Sequence, residues 1–137
     1  MKGVFLLTIK VGLFGFGRTG SVVAGEIIRD ADCQLEWVIR QTPSKHNEFA
    51  SHLLGFEHLE GKIVHIRDVD FDQFFKENPV DVIIDFSSSS AVSEYRNVVK
   101  YGCKIVSAIS NYEQKDFEQL ESLSQQTAVL YSPNITV

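Results

Sequence analysis

A basic excess, cysteine pairing and long apolar runs are all missing from this chain, and each absence removes a class of function. Thirteen lysine and arginine residues against eighteen acidic ones leave a net charge of −5. With no surplus of positive charge to neutralise phosphates, neither nucleic acid nor a membrane surface is an expected partner, although a local basic pocket is compatible with that total. There are two cysteines, Cys33 and Cys103, and no CxxC pair. Neither a disulfide framework nor a redox motif is therefore expected, and reduced structural thiols fit a cytoplasmic protein. No apolar stretch reaches the length needed to cross a bilayer. Residues 1–7 carry Lys2 as the one charged side chain, a short apolar run and no small-residue cleavage site, which argues against a signal peptide. His46, His52, His58 and His65 are spaced by six, six and seven positions. That pattern matches no zinc signature, so surface histidines of a long loop are expected, with no metal. Neither a GxSxG nor a P-loop is present, and no nucleophile–base pair stands out.

What is present is an alternation of short apolar runs with stretches of helical period. At 137 residues the chain has room for one domain. Strands are predicted at residues 8–14, 35–40, 62–66, 80–86, 104–108 and 127–131. A helix is predicted over 18–31, with Val23, Ala24, Ile27 and Ile28 inward. Shorter helices are expected near 48–54 and 71–76. One more should carry Val92, Tyr95, Val98 and Val99, and another Phe117, Leu120 and Leu123, with Ser110 and Glu113 at capping-box spacing before it. Residues 80–86, VDVIIDF, are nearly all apolar, as in a strand buried on both faces. The expectation is an α/β, Rossmann-like three-layer domain with a mostly parallel, doubly wound sheet. In such sheets ligands bind beyond the carboxyl ends of the strands. That rule places residues 14–20, 40–42, 86–90, 108–112 and 132–135 on one rim.

Three features on that rim carry chemistry. Residues 15–20, Gly15-Phe16-Gly17-Arg18-Thr19-Gly20, form a GxGxxG between a predicted strand and a predicted helix. In that setting the first glycine serves the tight turn, the second lets a pyrophosphate approach the backbone, and the third lets the helix pack on the strand. A merely structural turn is the alternative. About twenty residues later, where NAD-binding domains place an acid for the ribose diol, stands Arg40, followed by Gln41, Thr42 and Ser44. An arginine suits the 2′-phosphate of NADP(H) and cannot accept a hydrogen bond from a diol; a solvated surface arginine is the alternative. Asp85-Phe86-Ser87 closes the fourth strand. The acid there either satisfies loop amides or lies in a loop that touches the cofactor.

These residues resemble the dihydrodipicolinate (4-hydroxy-tetrahydrodipicolinate) reductases of lysine and diaminopimelate synthesis, over nearly the whole chain and specifically their N-terminal, cofactor-binding domain. Residues 17–20 look like that family's G-R-M-G, and VDVIIDFS over 80–87 looks like its D-V-x-I-D-F-[ST] strand. KIVSAISNY over 104–112 falls where the family has a strand leading into G-T-T-G-[FY], and PNITV over 133–137 is similar to its [AP]-N-[FM]-S-[VLI] hinge. Two positions depart: Phe14 replaces the usual first glycine, and Ala108-Ile109-Ser110-Asn111 replaces G-T-T-G.

The resemblance implies pyrophosphate contacts from Phe14, Gly15, Phe16, Gly17, Arg18 and Thr19. It implies adenosine-ribose or 2′-phosphate contacts at Arg40 and Gln41. Ala108, Ile109 and Ser110 should lie by the nicotinamide, with Ser132, Pro133, Asn134 and Ile135 closing that side. NADP(H) is the expected cofactor, NAD(H) the alternative. The resemblance also implies that the substrate-binding and catalytic residues belong to a C-terminal domain that these 137 residues do not contain, so no catalytic residue is assigned here. A small-molecule substrate is then expected only with that domain, and a homo-oligomer stays open. Two other readings remain: the cofactor domain of another amino-acid or carbonyl-acid dehydrogenase, and a stand-alone nucleotide-binding module without catalysis.

Overall fold

The computed structural model describes residues 7–133. Six strands alternate with helical elements: β1 (Ile9–Phe14), α1 (Arg18–Arg29), β2 (Cys33–Arg40), α2 (Ala50–Leu53), β3 (Lys62–His65), α3 (Phe71–Glu77), β4 (Val82–Asp85), α4 (Ala91–Tyr95), β5 (Lys104–Ser107), α5 (Gln114–Leu123) and β6 (Val129–Tyr131). Short 3-10 turns follow β3 (Ile66–Asp68) and α4 (Arg96–Tyr101). All strand pairs are parallel and the order is β3-β2-β1-β4-β5-β6. The chain winds outward from β1 to one edge, returns to β4, and winds to the other. The strand order therefore reverses between β1 and β4, where the fold opens a crevice. The expected α/β, doubly wound sheet is the one observed, with every strand parallel.

Two cores cover the two faces of the sheet because side chains alternate along each strand. Val11 and Leu13 of β1 pack with Leu35 and Val38 of β2, Ile63 of β3, and Ala24, Ile27 and Ile28 of α1. On the other face Phe14, Trp37 and Ile39 pack with Phe71 and Phe75 of α3 and Tyr95 of α4. Phe14 meets the rings of Trp37, Phe71 and Tyr95 at centroid distances of 5.9, 5.5 and 5.2 Å, all edge-on. Gly12 is what admits the indole, since a Cβ there would lie 2.3 Å from Trp37 Cη2. The β1–β2 register shifts between Val11 and Gly12, a bulge at this same level.

Element ends follow local hydrogen bonding more closely than apolar pattern. The first helix stops at Arg29, two residues before the predicted end, because Asp30 is extended and its carboxylate turns back to accept from Asp32 N at 2.8 Å. α3 starts after Asp70, whose side chain accepts from Gln73 N. The predicted strand over 80–86 is pared to Val82–Asp85, and the helix carrying Val92 to Val99 loosens into the 3-10 turn. The two cysteines are free thiols, Cys33 at the start of β2 and Cys103 just before β5. Burial pushes the Cys103 thiol up to about 12, so it stays protonated. No described helix is long and apolar enough to cross a membrane.

Candidate functional site

A row of backbone hydrogen bonds continues the sheet one step past its carboxyl edge. Gly15 N donates to Ile39 O (2.9 Å), Phe86 N to Phe14 O (2.8 Å), Ala108 N to Asp85 O (2.9 Å) and Ser132 N to Ser107 O (2.8 Å). This row brings four sequence-distant loops onto one rim: the glycine turn, the serine run after β4, the Ala108–Asn111 segment and Ser132–Pro133. Asn134 and Ile135 lie outside the described residues.

The glycine turn divides its labour residue by residue. Gly15 has φ +102°, and a Cβ there would touch the Phe86 carbonyl at 3.0 Å. Gly20 packs so tightly that a Cβ would sit 2.6 Å from Gly15 O. Gly17 is different: among the described residues nothing beyond its chain neighbours lies within 4 Å of where its Cβ would be. That open side faces the start of α1, where Gly17 is the N-cap and no side chain caps the helix. The first-turn N–H groups therefore point outward with the positive end of the helix dipole behind them, an arrangement suited to an anion. Phe16 is half-buried, Gly17 and Arg18 are exposed, and Thr19 is half-buried. Phe14, expected among the phosphate contacts, is instead a core residue: its ring is 1% exposed and its carbonyl is taken by Phe86 N. Its part is to hold Gly15 in place.

At the end of β2, Arg40 is half-buried and donates through Nη1 to Ser44 O (3.2 Å) and Ser44 Oγ (2.9 Å). No other side-chain hydrogen bond of its guanidinium is found among the described residues. Gln41 Nε2 reaches across the crevice to Ser88 Oγ at 2.5 Å. On the β3 side of that bridge is a cavity of about 710 Å3, lined by Gln41, Ile66, Arg67, Val69, Ser90 and Glu94 among others. On the β5 side is one of about 330 Å3, between Phe86–Ser89 and Ala108–Asn111. Ile109 is buried and Ser110 exposed within it. Arg67 and Glu94 had escaped notice in the sequence, where neither sits in a motif. The rim rule applied to the end of β3 would have found Arg67, which stands in the turn directly after that strand.

Asp85 takes the structural reading left open above. It is fully buried, and its Oδ1 accepts from Ser87 N (2.9 Å) and Ser87 Oγ (2.6 Å) while Oδ2 accepts from Tyr95 Oη (3.1 Å). Burial raises its pKa from the usual carboxylate value to about 6, and the hydrogen bonds from Ser87 and Tyr95 oppose that rise only in part. Next to it Ser107 and Tyr112 share a hydrogen bond of 2.5 Å, and burial pushes the Tyr112 phenol up to about 12.

Two expectations need correction. Ser110 does not cap α5. That helix begins at Gln114 with Glu113 as its N-cap and no side-chain cap of its own. The partner comes from the β4 loop instead: Ser89 Oγ accepts from Glu113 N (2.9 Å) and donates to Asp116 Oδ2 (2.7 Å). The histidines are also not all loop residues. His65 ends β3, its side chain is 11% exposed, and it lies between Gln41 O (3.0 Å) and the Asp68 carboxylate (3.6 Å). Among the described residues no three His, Cys, Asp or Glu side chains come together in a way that could hold a metal ion.

Comparison with known proteins places the chain in a family through its sequence, while its fold is shared more widely. The family model "Dihydrodipicolinate reductase, N-terminus" matches residues 9–135. A 4-hydroxy-tetrahydrodipicolinate reductase from Listeria monocytogenes serotype 4b is 23% identical over 133 residues, covering 94% of this chain and 48% of the relative. The chain thus spans about half the length of that curated relative. Among solved structures, the dipicolinate-bound dihydrodipicolinate reductase from Paenisporosarcina sp. TG-14 superposes with a TM-score of 0.66 at 15% identity, over 93% of this chain and 48% of that one. The scyllo-inositol dehydrogenase from Lactobacillus casei with bound NAD(H) and scyllo-inositol gives 0.64 at 20% identity, over 89% and 36%. At such identities the structural likenesses speak for the fold. The match across residues 9–135, with the DFS strand end and the glycine turn on a shared rim, means that this chain belongs to the family of dihydrodipicolinate reductase N-terminal domains.

Proposed function

We propose that the chain binds a nicotinamide dinucleotide along this rim, as the cofactor-binding half of a reductase that acts on a cyclic imine-type substrate such as dihydrodipicolinate. The observation that carries the reading is the open ground above Gly17 beside an uncapped helix start. A pyrophosphate fits there because it brings the negative charge and acceptor oxygens that free N–H groups require. Phe16, Gly17, Arg18 and Thr19 would hold it through their backbone N–H groups, with Gly15 shaping the turn beneath it. The larger cavity beside Gln41 would take the adenosine half, and the cavity between the serine run and Ala108, Ile109 and Ser110 the nicotinamide half, with Ser132 and Pro133 at its side. When bound, the reduced nicotinamide supplies a hydride. The chain's own part is to hold that ring between the serine run and the Ala108–Asn111 segment.

The reading includes a preference for NADP(H), resting on Arg40. Its guanidinium keeps donors to spare after bonding Ser44. One charge-assisted contact to the 2′-phosphate contributes about 1.5–3 kcal/mol, roughly tenfold or more in affinity. Calorimetry of Arg40→Ala with each cofactor is the test: a loss confined to the phosphorylated form is expected. Equal losses for both forms, or none, would show that Arg40 does not read the phosphate.

Substrate capture and product protonation are proposed to come from residues outside these 137, in keeping with the share of its relatives that the chain spans. On its nicotinamide side the rim offers Ser110, Asn111 and Ser132, which orient an amide but neither clamp a dicarboxylate nor titrate near neutrality. The purified chain mixed with NADPH and dihydrodipicolinate should bind cofactor without consuming it, as followed by absorbance of the reduced nicotinamide. Turnover at about 1 per second or faster would mean that the active site is complete within this chain.

A further inference from the structure

We infer that Ser89 is a positioning residue, a clasp that sets the distance between the two walls of the nicotinamide-side cavity. The inference rests on the dinucleotide reading above and deepens it. One wall is Phe86 to Ser89, after β4; the other is Ala108 to Asn111, after β5. At the floor they are joined by the sheet itself, through Ala108 N donating to Asp85 O at 2.9 Å. Beyond that bond each wall is an irregular loop, and nothing in a parallel ladder fixes how far two such loops stand apart once the strands have ended.

Ser89 supplies that missing fixture. Its hydroxyl does two jobs with one oxygen, accepting from Glu113 N at 2.9 Å and donating to Asp116 Oδ2 at 2.7 Å. Glu113 is the N-cap of α5, and Asp116 stands in that helix's first turn, 97% withdrawn from solvent. A buried carboxylate must find donors, and a helix start must find acceptors for its N–H groups. Here a residue twenty-four positions away in sequence satisfies both. The β4 loop is therefore bonded to the rigid end of α5. The Ala108–Asn111 wall runs directly into that same end, so it is held from both sides.

A plain helix cap would also use a serine, but it would come from the residues just before the helix. This one comes from across the cavity, so removing it loosens the cavity as well as the helix. Such loosening matters at a reacting ring, where displacements of about 1 Å cost far more than they do at a phosphate subsite.

The test compares Ser89→Ala and Ser89→Thr with the unaltered chain by fluorescence titration. The two probes are NADPH and 2′-phospho-ADP-ribose, which lacks the nicotinamide. In Ser89→Ala the affinity for NADPH is expected to fall about fivefold to tenfold, with that for 2′-phospho-ADP-ribose unchanged. Ser89→Thr, which keeps the hydroxyl, is expected to behave as the unaltered chain. Hydrogen exchange at the Glu113 amide provides a readout that needs no ligand, and it should quicken in Ser89→Ala but not in Ser89→Thr. Equal losses for both probes, or no loss, would overturn the positioning role. An unchanged Glu113 amide would overturn the clasp itself. Failure of the unaltered chain to bind either probe would overturn the dinucleotide reading and with it the role at that site, while the exchange measurement still judges the bond.

Discussion

Gly17→Val is expected to fold as the unaltered chain does and to lose at least about a hundredfold in dinucleotide affinity, some 2.7 kcal/mol. The two halves of that outcome come from the same observation. Among the described residues beyond its chain neighbours, no atom lies within 4 Å of a Cβ at this position, and the backbone there is extended, at φ −85° and ψ −154°. The protein therefore loses no packing, while the added carbons stand where a pyrophosphate would need to approach the amides. Gly20→Val is the contrasting control, since its Cβ would be driven to 2.6 Å from the Gly15 carbonyl and the turn itself would give way. The measurement is a cofactor titration of each variant alongside its thermal unfolding curve. Cofactor affinity unchanged in a folded Gly17→Val protein would remove the glycine turn from the binding site.

Asp85→Asn is expected to stabilise the protein at pH 8 and to abolish a particular pH dependence. Among the described residues the buried carboxyl has no cationic partner, and burial lifts its pKa from 3.8 to about 6. A carboxyl with a raised native pKa binds its proton more tightly in the folded state. Between pH 4 and 6 the native chain therefore holds more protons than the unfolded one, and this group's contribution to stability falls as pH rises through that window. Above about pH 7 the cost levels off, on the order of 3 kcal/mol. Asparagine retains an acceptor for Ser87 N and Ser87 Oγ, and it turns an amide donor toward the Tyr95 oxygen. The stability of the variant minus that of the wild type, from denaturant unfolding at several pH values, should climb from near zero at pH 4 to a plateau by pH 8. A flat difference would mean that Asp85 carries no such burden.

The parts of this molecule that the sequence disclosed are those set by local pattern. The glycine spacing after a β run, the unbroken apolar stretch before Asp85 and the helical period of α1 each depend on neighbours within a few positions. They marked the sheet, its carboxyl rim and the turn on it. What stayed hidden depends on distant partners. Ser110 and Glu113 have the spacing of a cap, but Glu113 N bonds Ser89 from another loop. The apolar run over 80–86 suggested a longer strand than Val82–Asp85. Val80 is buried without being paired, and Asp81 spends its carboxylate on Lys10 N at 2.8 Å to set the β1–β4 register. Phe14, expected at the end of the first strand and among the pyrophosphate contacts, sits at the centre of an aromatic cluster. His65 and Arg67 gained meaning only when β3 was seen to end on the same rim as β2.

The strand order also dictates a sequence of events in time. β1 is the middle of the sheet and must pair on one side with β2, its neighbour in the chain, and on the other with β4, whose strand ends at Asp85. As the polypeptide leaves the ribosome, β1, α1 and β2 can come together early, because the loops that join them are short. One flank of β1 then stays open until some forty-five more residues have been made, exposing unpaired N–H and C=O groups and the apolar side chains of the most buried strand. Assembly of a parallel sheet from such distant partners is slow, and the half-built intermediate is where this chain is most exposed to wrong pairing with another copy of itself.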